Sequence, residues 1–467
     1  MLRCTLCAGR RMGRRVRCLV PLAVVLLLLA LAAAVAGLRP ATAGANLSST
    51  IDGILARHGV AGGGTGVCVR DLDTGRLIYA RHATTPLAPA SNMKLVTAAT
   101  ALKTWGAEFR FTTELFGPDV PIYGGVIYGD LHLKGYGDPS LSTLGYQRHE
   151  LHFATASFEK FAQRLRALGV RKIEGRVLGD ESWFDKQRFM AAWKPDLRLE
   201  CGPLAALSGD EGLDDGNRVA SPAVYAARLC TNALRKARIK VTGAPGTGKV
   251  PATASLIRRQ YSARLGAVIK HMDKESDNFF AEMLVKGLGK DIYGKGSTAA
   301  GVKVLQSTLR ASGMTPARYR VQDGCGLSYG DRLTAEGVVS LLGDMWLRPE
   351  FRPYYDSLAI AGVDGTLDER MRGTAAAGNA HAKTGTLDIA VCLSGYVESA
   401  DKHRVAFSIL VNGGSVSWGE ATAAQDAIVV ALAKASLPGS RQSPFILSLR
   451  HFPVSAMETV HAVGGVF

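Results

Sequence analysis

The sequence lacks the patterns that mark metal-binding and nucleic-acid-binding proteins. Its ten histidines form no His-Glu-x-x-His motif and no other ligand spacing, so we predict no metal and no cofactor. Aromatic residues make up an ordinary 7% of the chain. No basic run is interleaved with them, so we expect no nucleic-acid partner. Internal repeats and long low-complexity tracts are missing too. The 467 residues are enough for two or three ordinary folded domains.

Acidic residues are absent from residues 1–43, which contain seven arginines. Without this segment the formal charge falls from +16 to +9, since 49 basic residues then stand against 40 acidic ones. Basic residues, the apolar run 19–38 and the small residues Ala41-Thr42-Ala43 follow in the order of a secretory signal. We expect cleavage after Ala43 and export to the cell envelope or the extracellular space. An uncleaved membrane anchor is the alternative, because the apolar run is long enough to span a bilayer.

Cysteines are few after residue 43, and their number is odd. They are Cys68, Cys201, Cys230, Cys325 and Cys392. A disulfide between Cys201 and Cys230 and buried free thiols are both open interpretations.

Ser91 and Lys94 lie at the predicted start of a helix, after a proline-containing stretch at 84–89 that is expected to be extended. Residues i and i+3 share a helix face, so the Lys94 amine is expected to reach the Ser91 hydroxyl. A serine hydroxyl is a weak nucleophile until a base takes its proton, and a lysine with a lowered pKa can be that base. Alone, this pair is a weak signal, because many helices carry it on a solvated face.

Two later stretches complete a set of three motifs. Ser276-Asp277-Asn278 lies in a predicted connection between helices, and Lys383-Thr384-Gly385-Thr386 opens a predicted strand. Each alone is commonly a helix cap or a turn. Their order and contexts match the Ser-x-x-Lys, Ser-Asp-Asn and Lys-Thr-Gly set of penicillin-interacting serine enzymes. Two ammonium groups in one site should also lower each other's pKa, which would keep Lys94 neutral while Lys383 attracts an anion.

The chain resembles the serine-type D-alanyl-D-alanine carboxypeptidases and endopeptidases, the low-molecular-mass class C penicillin-binding proteins. The resemblance covers most of the chain after residue 43. It includes three further stretches: Gly135-Tyr136-Gly137-Asp138-Pro139-Ser140-Leu141, Asp323-Gly324-Cys325-Gly326-Leu327-Ser328 and Gly362-Val363-Asp364-Gly365-Thr366-Leu367. It implies hydrolysis of D-alanyl-D-alanine bonds in peptidoglycan stem peptides through an acyl-enzyme, with β-lactams as inhibitors.

By this resemblance Ser91 is the nucleophile, Lys94 is its base and Ser276 relays the proton to the leaving amine. Asn278 would hold the substrate amide, while Lys383 and the substrate-binding residues Thr384, Gly385 and Thr386 would meet its terminal carboxylate. The backbone amides of Ser91 and Thr386 would form the oxyanion hole.

Three positions bear on substrate recognition. Asp138 matches an acidic residue that, in the family, meets the ammonium group of a diamino acid in the stem peptide, although a turn aspartate before proline explains the pattern equally well. Cys325 replaces a serine of the family. Tyr329 stands where an arginine for the neighbouring carboxylate is expected, and Arg332 is a candidate substitute.

The order of elements predicts an α+β fold: a transpeptidase domain like that of penicillin-binding proteins and β-lactamases, with an antiparallel sheet flanked by helices, and a β-rich insertion domain. We place the D,D-peptidase domain at 44–107 and 251–437, the insertion at 108–250 and a tail of unknown role at 438–467. A hairpin is predicted from 65–70 and 77–81, and one strand run from Lys383 through Val397. Helices are predicted at 158–168, 223–237, 262–272, 280–288 and 419–435.

Two other functions compete with a D,D-peptidase. A β-lactamase would need a deacylating base, but the sequence has no Glu-x-x-Leu-Asn stretch and carries a long insertion. A non-catalytic wall-binding or β-lactam-sensing module would not need Ser91, Lys94 and Lys383. The stretch 243–249 imitates a nucleotide-binding loop, but Val250 and Pro251 follow where a helix should start, so we predict no nucleotide binding.

Overall fold

The computed structural model describes residues 43–119, 123–413, 417–437 and 439. The predicted signal or anchor before residue 43 lies outside the described residues, as does the predicted tail apart from residue 439. Among the described helices, none combines the length and the apolar character that a membrane crossing requires.

Helices are concentrated on either side of the predicted insertion. The longer ones are, in chain order, α1 (Ala43–Arg57), α2 (Met93–Trp105), α3 (Phe158–Ala167), α4 (Pro222–Lys236), α5 (Leu265–Lys274), α6 (Asn278–Tyr293), α7 (Thr298–Ala311), α8 (Ala335–Trp346), α9 (Phe351–Ser357) and α10 (Trp418–Lys434). Hydroxyl caps fix several starts, as where Ser221 accepts the N–H of Val224. The helices predicted at 158–168, 223–237, 280–288 and 419–435 are confirmed as α3, α4, α6 and α10.

Strands precede and follow the run of five helices from α5 to α9. They are β1 (Thr65–Asp71), β2 (Leu77–Arg81), β3 (Thr112–Pro118), β4 (Val126–Tyr128), β5 (Leu131–Gly135), β6 (Lys172–Glu174), β7 (Val177–Asp180), β8 (Leu213–Asp214), β9 (Asn217–Arg218), β10 (Lys240–Val241), β11 (Gly246–Thr247), β12 (Ala254–Tyr261), β13 (Ala359–Ile360), β14 (His381–Leu387), β15 (Ala390–Glu398) and β16 (Arg404–Asn412). The predicted hairpin is confirmed as β1 and β2.

The central sheet is antiparallel and six-stranded, in the order β13-β14-β15-β16-β1-β2. Strand β16 is apolar on both faces because helices cover both. Phe407 and Ile409 pack in one cluster with Ile51 of α1 and Ile428 of α10. Leu410 packs on the other face, in the cluster that contains the core residues of α2 and α6. A strand buried on both sides is expected to have such a continuous apolar run.

The predicted insertion is built on two smaller sheets. Strands β11-β7-β5-β3-β12 form one and β10-β6-β4 the other, and α3 and α4 pack over them with Phe161 and Leu234 fully buried. Strand β12 lies after the predicted boundary at 250 and pairs antiparallel with β3 along most of its length. The chain therefore enters and leaves this region by neighbouring strands. The domain limits themselves stay a prediction.

Two element predictions were wrong in their boundaries. The helix predicted from residue 262 begins at Leu265, because Ser262 continues the β3–β12 pairing: its N–H donates to the Phe111 carbonyl at 2.9 Å. The single strand predicted from Lys383 through Val397 is two strands, β14 and β15. The pair Leu387 and Ala390 closes a tight turn between them. This turn places the third motif alone on β14.

Candidate active site

Ser91 lies in a short 3-10 turn, Ala90–Asn92, that runs directly into α2. Ala90 adopts a left-handed conformation with φ of 47°, which few non-glycine residues do outside functional sites. The Lys94 Nζ atom lies 3.0 Å from Ser91 Oγ. The structure therefore brings the predicted nucleophile and base together as their spacing on one helix face predicts.

Lys94 is fully buried, and three groups surround its amine. Beside Ser91 Oγ, the amine donates to Asn278 Oδ1 at 2.7 Å and to the Cys325 carbonyl at 2.9 Å. Burial lowers the pKa of Lys94. A neutral amine has two N–H groups and one lone pair, which matches two oxygen acceptors and one hydroxyl. In that state the Ser91 hydroxyl donates to the amine, as a general base requires.

The second motif joins the first at the start of α6. Asp277 caps this helix, since its Oδ1 accepts the N–H of Phe280 at 2.8 Å, and Asn278 is the first helical residue. Ser276 precedes them with φ of 60°. Its hydroxyl accepts a hydrogen bond from the Lys383 amine at 2.8 Å. One short segment thus supplies a partner to each of the two lysines.

The third motif lies on β14, against the backbone of the nucleophile. Lys383 is fully buried, and its carbonyl accepts from Asn92 Nδ2 at 3.0 Å. A Cβ atom on Gly385 would lie 2.9 Å from the Ser91 nitrogen, so only glycine lets the strand come this close. Thr384 is half-buried and Thr386 is exposed. The Thr384 hydroxyl donates to that of Thr366 at 2.7 Å, which brings the predicted stretch 362–367 to the site.

Burial, more than repulsion between the amines, sets the protonation of the two lysines. It is the largest cause that lowers the pKa of Lys383 to about 7, and the charge of Lys94 comes second. For Lys94, burial alone lowers the pKa, while nearby acids including Asp277 and Asp323 raise it. The prediction that the two amines lower each other's pKa was therefore incomplete, because the motifs do not show how deeply the two amines are buried.

Asp138 occupies a buried turn. Its Oδ1 accepts hydrogen bonds from the Ser140 N–H and hydroxyl, at 2.8 and 2.7 Å. These contacts are those expected of an aspartate that stabilises a turn. Its other oxygen is buried and has no partner among the described residues, and burial raises the pKa of Asp138 to about 6. Contact with a diamino acid stays a prediction.

The loop that contains Tyr329 and Arg332 differs in sequence from the pattern expected of the family, and contacts within the chain hold it in place. Arg332 donates to the carbonyls of Tyr329 and Asp331, so it is occupied within the loop. The Tyr329 hydroxyl donates to Asp388 at 2.6 Å, and the Lys194 amine lies 3.8 Å from the centre of the tyrosine ring. Lys194 and Asp388 were not identified from the sequence, because they come from distant segments.

A long segment of the predicted insertion, between β7 and β8, contacts the site directly. Trp193 is almost fully buried and donates its indole N–H to Asp323 at 2.8 Å. Asn278 Nδ2 donates to the Glu200 carbonyl at 2.8 Å. Further along α6, the buried Lys286 pairs with Asp185. This segment therefore fixes the outer side of the second motif.

Three groups of potential metal ligands occur among the described residues, each with donor atoms within 4.8 Å of one another. They are Asp71, Asp73 and His403; Glu211, His271 and Asp277; and Glu282, Asp323 and Cys325. Each group already accepts protein hydrogen bonds, as Asp71 does from Thr74 and Glu282 does from the Gly324 N–H. We assign none of them to a metal, and the predicted absence of a metal stays a prediction. All five described cysteines are buried free thiols.

Comparison with known proteins shows which family this chain belongs to. The sequence profile of the D-Ala-D-Ala carboxypeptidase 3 (S13) family matches residues 47–213 and 207–435. The chain belongs to this family. The serine D-Ala-D-Ala carboxypeptidase class predicted from the three motifs is thereby confirmed.

Individual relatives agree with this membership. The D-alanyl-D-alanine carboxypeptidase of Actinomadura sp. (strain R39) is 33% identical over 83% of this chain and 84% of that protein. Carboxypeptidase DacB of Mycolicibacterium smegmatis is 29% identical over 74% of this chain and 75% of that protein. Penicillin binding protein 4 of Haemophilus influenzae has a similar structure, with a TM-score of 0.69, 22% identity, and coverage of 82% of this chain and 99% of that one. The predicted α+β fold class is confirmed by this last likeness.

Proposed function

We propose that this S13 carboxypeptidase removes the terminal D-alanine from peptidoglycan stem peptides through an acyl-enzyme on Ser91. The observation that carries the proposal is the buried Lys94 amine, 3.0 Å from Ser91 Oγ and held by Asn278 and the Cys325 carbonyl. We also propose that the enzyme acts in the cell envelope and cuts D,D-cross-links as an endopeptidase. The predicted export signal supports the location.

Acylation begins when Lys94 takes the hydroxyl proton of Ser91 and the oxygen attacks the penultimate D-alanine carbonyl. The backbone amides of Ser91 and Thr386 stabilise the resulting oxyanion, a contribution usually worth about 3 kcal/mol. The Ser91–carbon bond forms and the carbon–nitrogen bond breaks. Lys94 then gives the proton to the leaving amine, with Ser276 as the relay in this proposal. The Ser276 hydroxyl itself accepts a hydrogen bond from the Lys383 amine. Water then attacks the ester, releases the shortened peptide and restores Ser91.

The terminal carboxylate of the substrate is held on the third motif. Lys383 supplies positive charge, and Thr384 and Thr386 supply hydroxyl donors from the strand next to Ser91. Since the pKa of Lys383 is about 7, a bound carboxylate raises it and draws the amine into its charged form. Lys94 has no carboxylate partner within hydrogen-bond distance in the described residues, so it can stay neutral.

Two substrates separate this function from its competitors. The purified protein is incubated with a labelled penicillin and, separately, with a peptide that ends in D-Ala-D-Ala. We expect a persistent label and release of D-alanine. Rapid turnover of penicillin would contradict the proposal in favour of a β-lactamase, and a label without D-alanine release would indicate a sensor. Cleavage of cross-linked muropeptides tests the endopeptidase activity in the same way.

Thr384→Val is expected to raise the KM for the D-Ala-D-Ala peptide about tenfold, because it removes one hydroxyl donor to the carboxylate without changing the size of the side chain. Its acylation by a small reagent without a carboxylate should stay at the wild-type rate. Thr366→Val is the matched control, since it removes the hydroxyl that Thr384 contacts and leaves Thr384 itself in place. An equal loss towards both substrates in Thr384→Val would contradict this division of roles.

A further inference from the structure

Glu282 lies one turn after Asn278 on α6, so the two side chains share a helix face. It is fully buried in the core behind the site. Its Oε1 accepts two backbone N–H groups, from Gly324 at 2.7 Å and from Cys325 at 2.9 Å. Hydrogen bonds to a carboxylate are stronger than those between neutral groups. Glu282 therefore fixes the orientation of two successive peptide groups in the turn 323–326.

This turn contacts both the base and the nucleophile. The Cys325 carbonyl accepts from the Lys94 amine at 2.9 Å. The next residue, Gly326, has φ of 89°, and a Cβ atom there would lie 1.9 Å from the Ala90 oxygen. Its N–H, in the same peptide group as the Cys325 carbonyl, donates to Asp323 at 2.7 Å. A small rotation of this turn would therefore move the carbonyl off Lys94.

We propose that Glu282 is a positioning residue for acylation: it holds the turn 323–326 so that the Cys325 carbonyl binds one N–H of Lys94 and the amine lone pair points at Ser91. The inference rests on the proposed function of Ser91 and Lys94. Glu282 does not touch the reacting atoms. It acts through the peptide groups of Gly324 and Cys325, while Asn278 acts on the same amine directly.

Glu282 acts on Lys94 through this turn, since the charges that act on the pKa of Lys94 are those of Cys325, Asp277, Asp323 and Asp273. Burial, followed by the charge of Asp323, raises the pKa of Glu282 to about 7. The ionisable groups that face Glu282 are Asp323, Asp331, Cys201 and Cys325. Those that face Lys94 are Asp273, Asp277, Asp323, Cys201, Cys325 and Lys383. The Cys325 carbonyl accepts a hydrogen bond from the Lys94 amine and stabilises its ammonium form, so loss of this acceptor lowers the pKa of Lys94 further.

The test is the second-order rate constant of acylation by a labelled penicillin, measured from about pH 5 to about pH 9. Glu282→Gln keeps an oxygen acceptor of the same reach but loses the charge. A neutral amide holds the turn less firmly, so the Lys94 ammonium loses part of its carbonyl acceptor. The acidic limb of the pH–rate profile is therefore expected to move to lower pH by on the order of one unit. Its plateau should fall about tenfold, because a less basic amine removes the serine proton less readily. Glu282→Asp keeps the charge but is too short to hold both N–H groups, so its limb and its plateau should move in the same directions as those of Glu282→Gln.

Asp344→Asn is the matched control, because it also converts a buried carboxylate to an amide but contacts Lys103 and Ser312 away from the turn. It should leave limb and plateau unchanged. A Glu282→Gln limb at the wild-type pH would overturn the inference, even if the rate fell, because it would show a structural role only. If thermal unfolding shows that Glu282→Gln does not fold, a wild-type plateau in Glu282→Asp would overturn it instead. Wild-type protein that takes no label would overturn the proposed function itself, which is a separate outcome.

Discussion

Ser91→Ala is expected to lose all labelling by penicillin and all release of D-alanine while it keeps the wild-type fold. In the proposed mechanism the Ser91 oxygen forms the ester, and among the described residues no other hydroxyl group lies within hydrogen-bond distance of the Lys94 amine. Removal of a nucleophile leaves only the small rate that the oxyanion hole and substrate binding provide. The measurement is label incorporation and D-alanine release from matched amounts of protein.

The fold should tolerate this change because alanine fits the space of serine. Among the described residues the Ser91 hydroxyl has one hydrogen bond to lose, the one with Lys94. Thermal unfolding is expected to shift by only a few degrees. Ser340→Ala is a matched control: its hydroxyl donates to the Glu336 carbonyl on α8, and both activities should stay at the wild-type level. Residual labelling of Ser91→Ala at the wild-type level would mean that another residue is the nucleophile.

Lys94→Met is expected to slow acylation by about a thousandfold, the range typical of a lost general base. Methionine fills the buried space of the lysine stem but has no amine for the Ser91 proton. Asn278 Oδ1 and the Cys325 carbonyl also lose their donor, which costs stability on the order of 2 kcal/mol. Rate constants for penicillin acylation across the pH range measure the effect. The acidic limb should disappear with the amine.

Lys103→Met separates this chemical effect from a general loss of buried charge. Lys103 lies on the same helix and pairs with Asp344 at 2.9 Å, so its removal should lower stability and leave acylation nearly unchanged. Acylation of Lys94→Met within about fivefold of the wild type, far less than loss of a base produces, would contradict the role of Lys94.

The sequence predicted the site where the chemistry depends on side-chain identity. Ser91 and Lys94 meet because residues three apart share a helix face, and Lys383 and Ser276 meet because their motifs sit on a strand and at a helix start. Contacts made by backbone atoms were not predictable in this way. The Cys325 carbonyl that binds Lys94 carries no mark in the sequence. Its position depends on a turn more than two hundred residues away.

Two features of the fold and the site were missed because their local sequence gives no signal. Strand β12 carries the exposed Arg258 and Arg259, and its buried residue next to them is the polar Gln260, so it lacks the apolar alternation that reveals a half-buried strand. In the sequence, Glu282 is an acidic residue within the apolar run of α6, one turn after Asn278. Because its contacts with the turn 323–326 cannot be read from the sequence, Glu282 could not be distinguished from an acidic residue on a solvent-exposed helix face.

Mass spectrometry of the wild-type protein after reaction with a penicillin tests the central claim most directly. The protein is digested with a protease and the modified peptide is sequenced. We predict one penicilloyl group on each protein molecule, attached to Ser91 in the peptide that also contains Lys94. An adduct on any other residue, or none under conditions in which D-alanine is released, would contradict the assignment of Ser91 as the nucleophile.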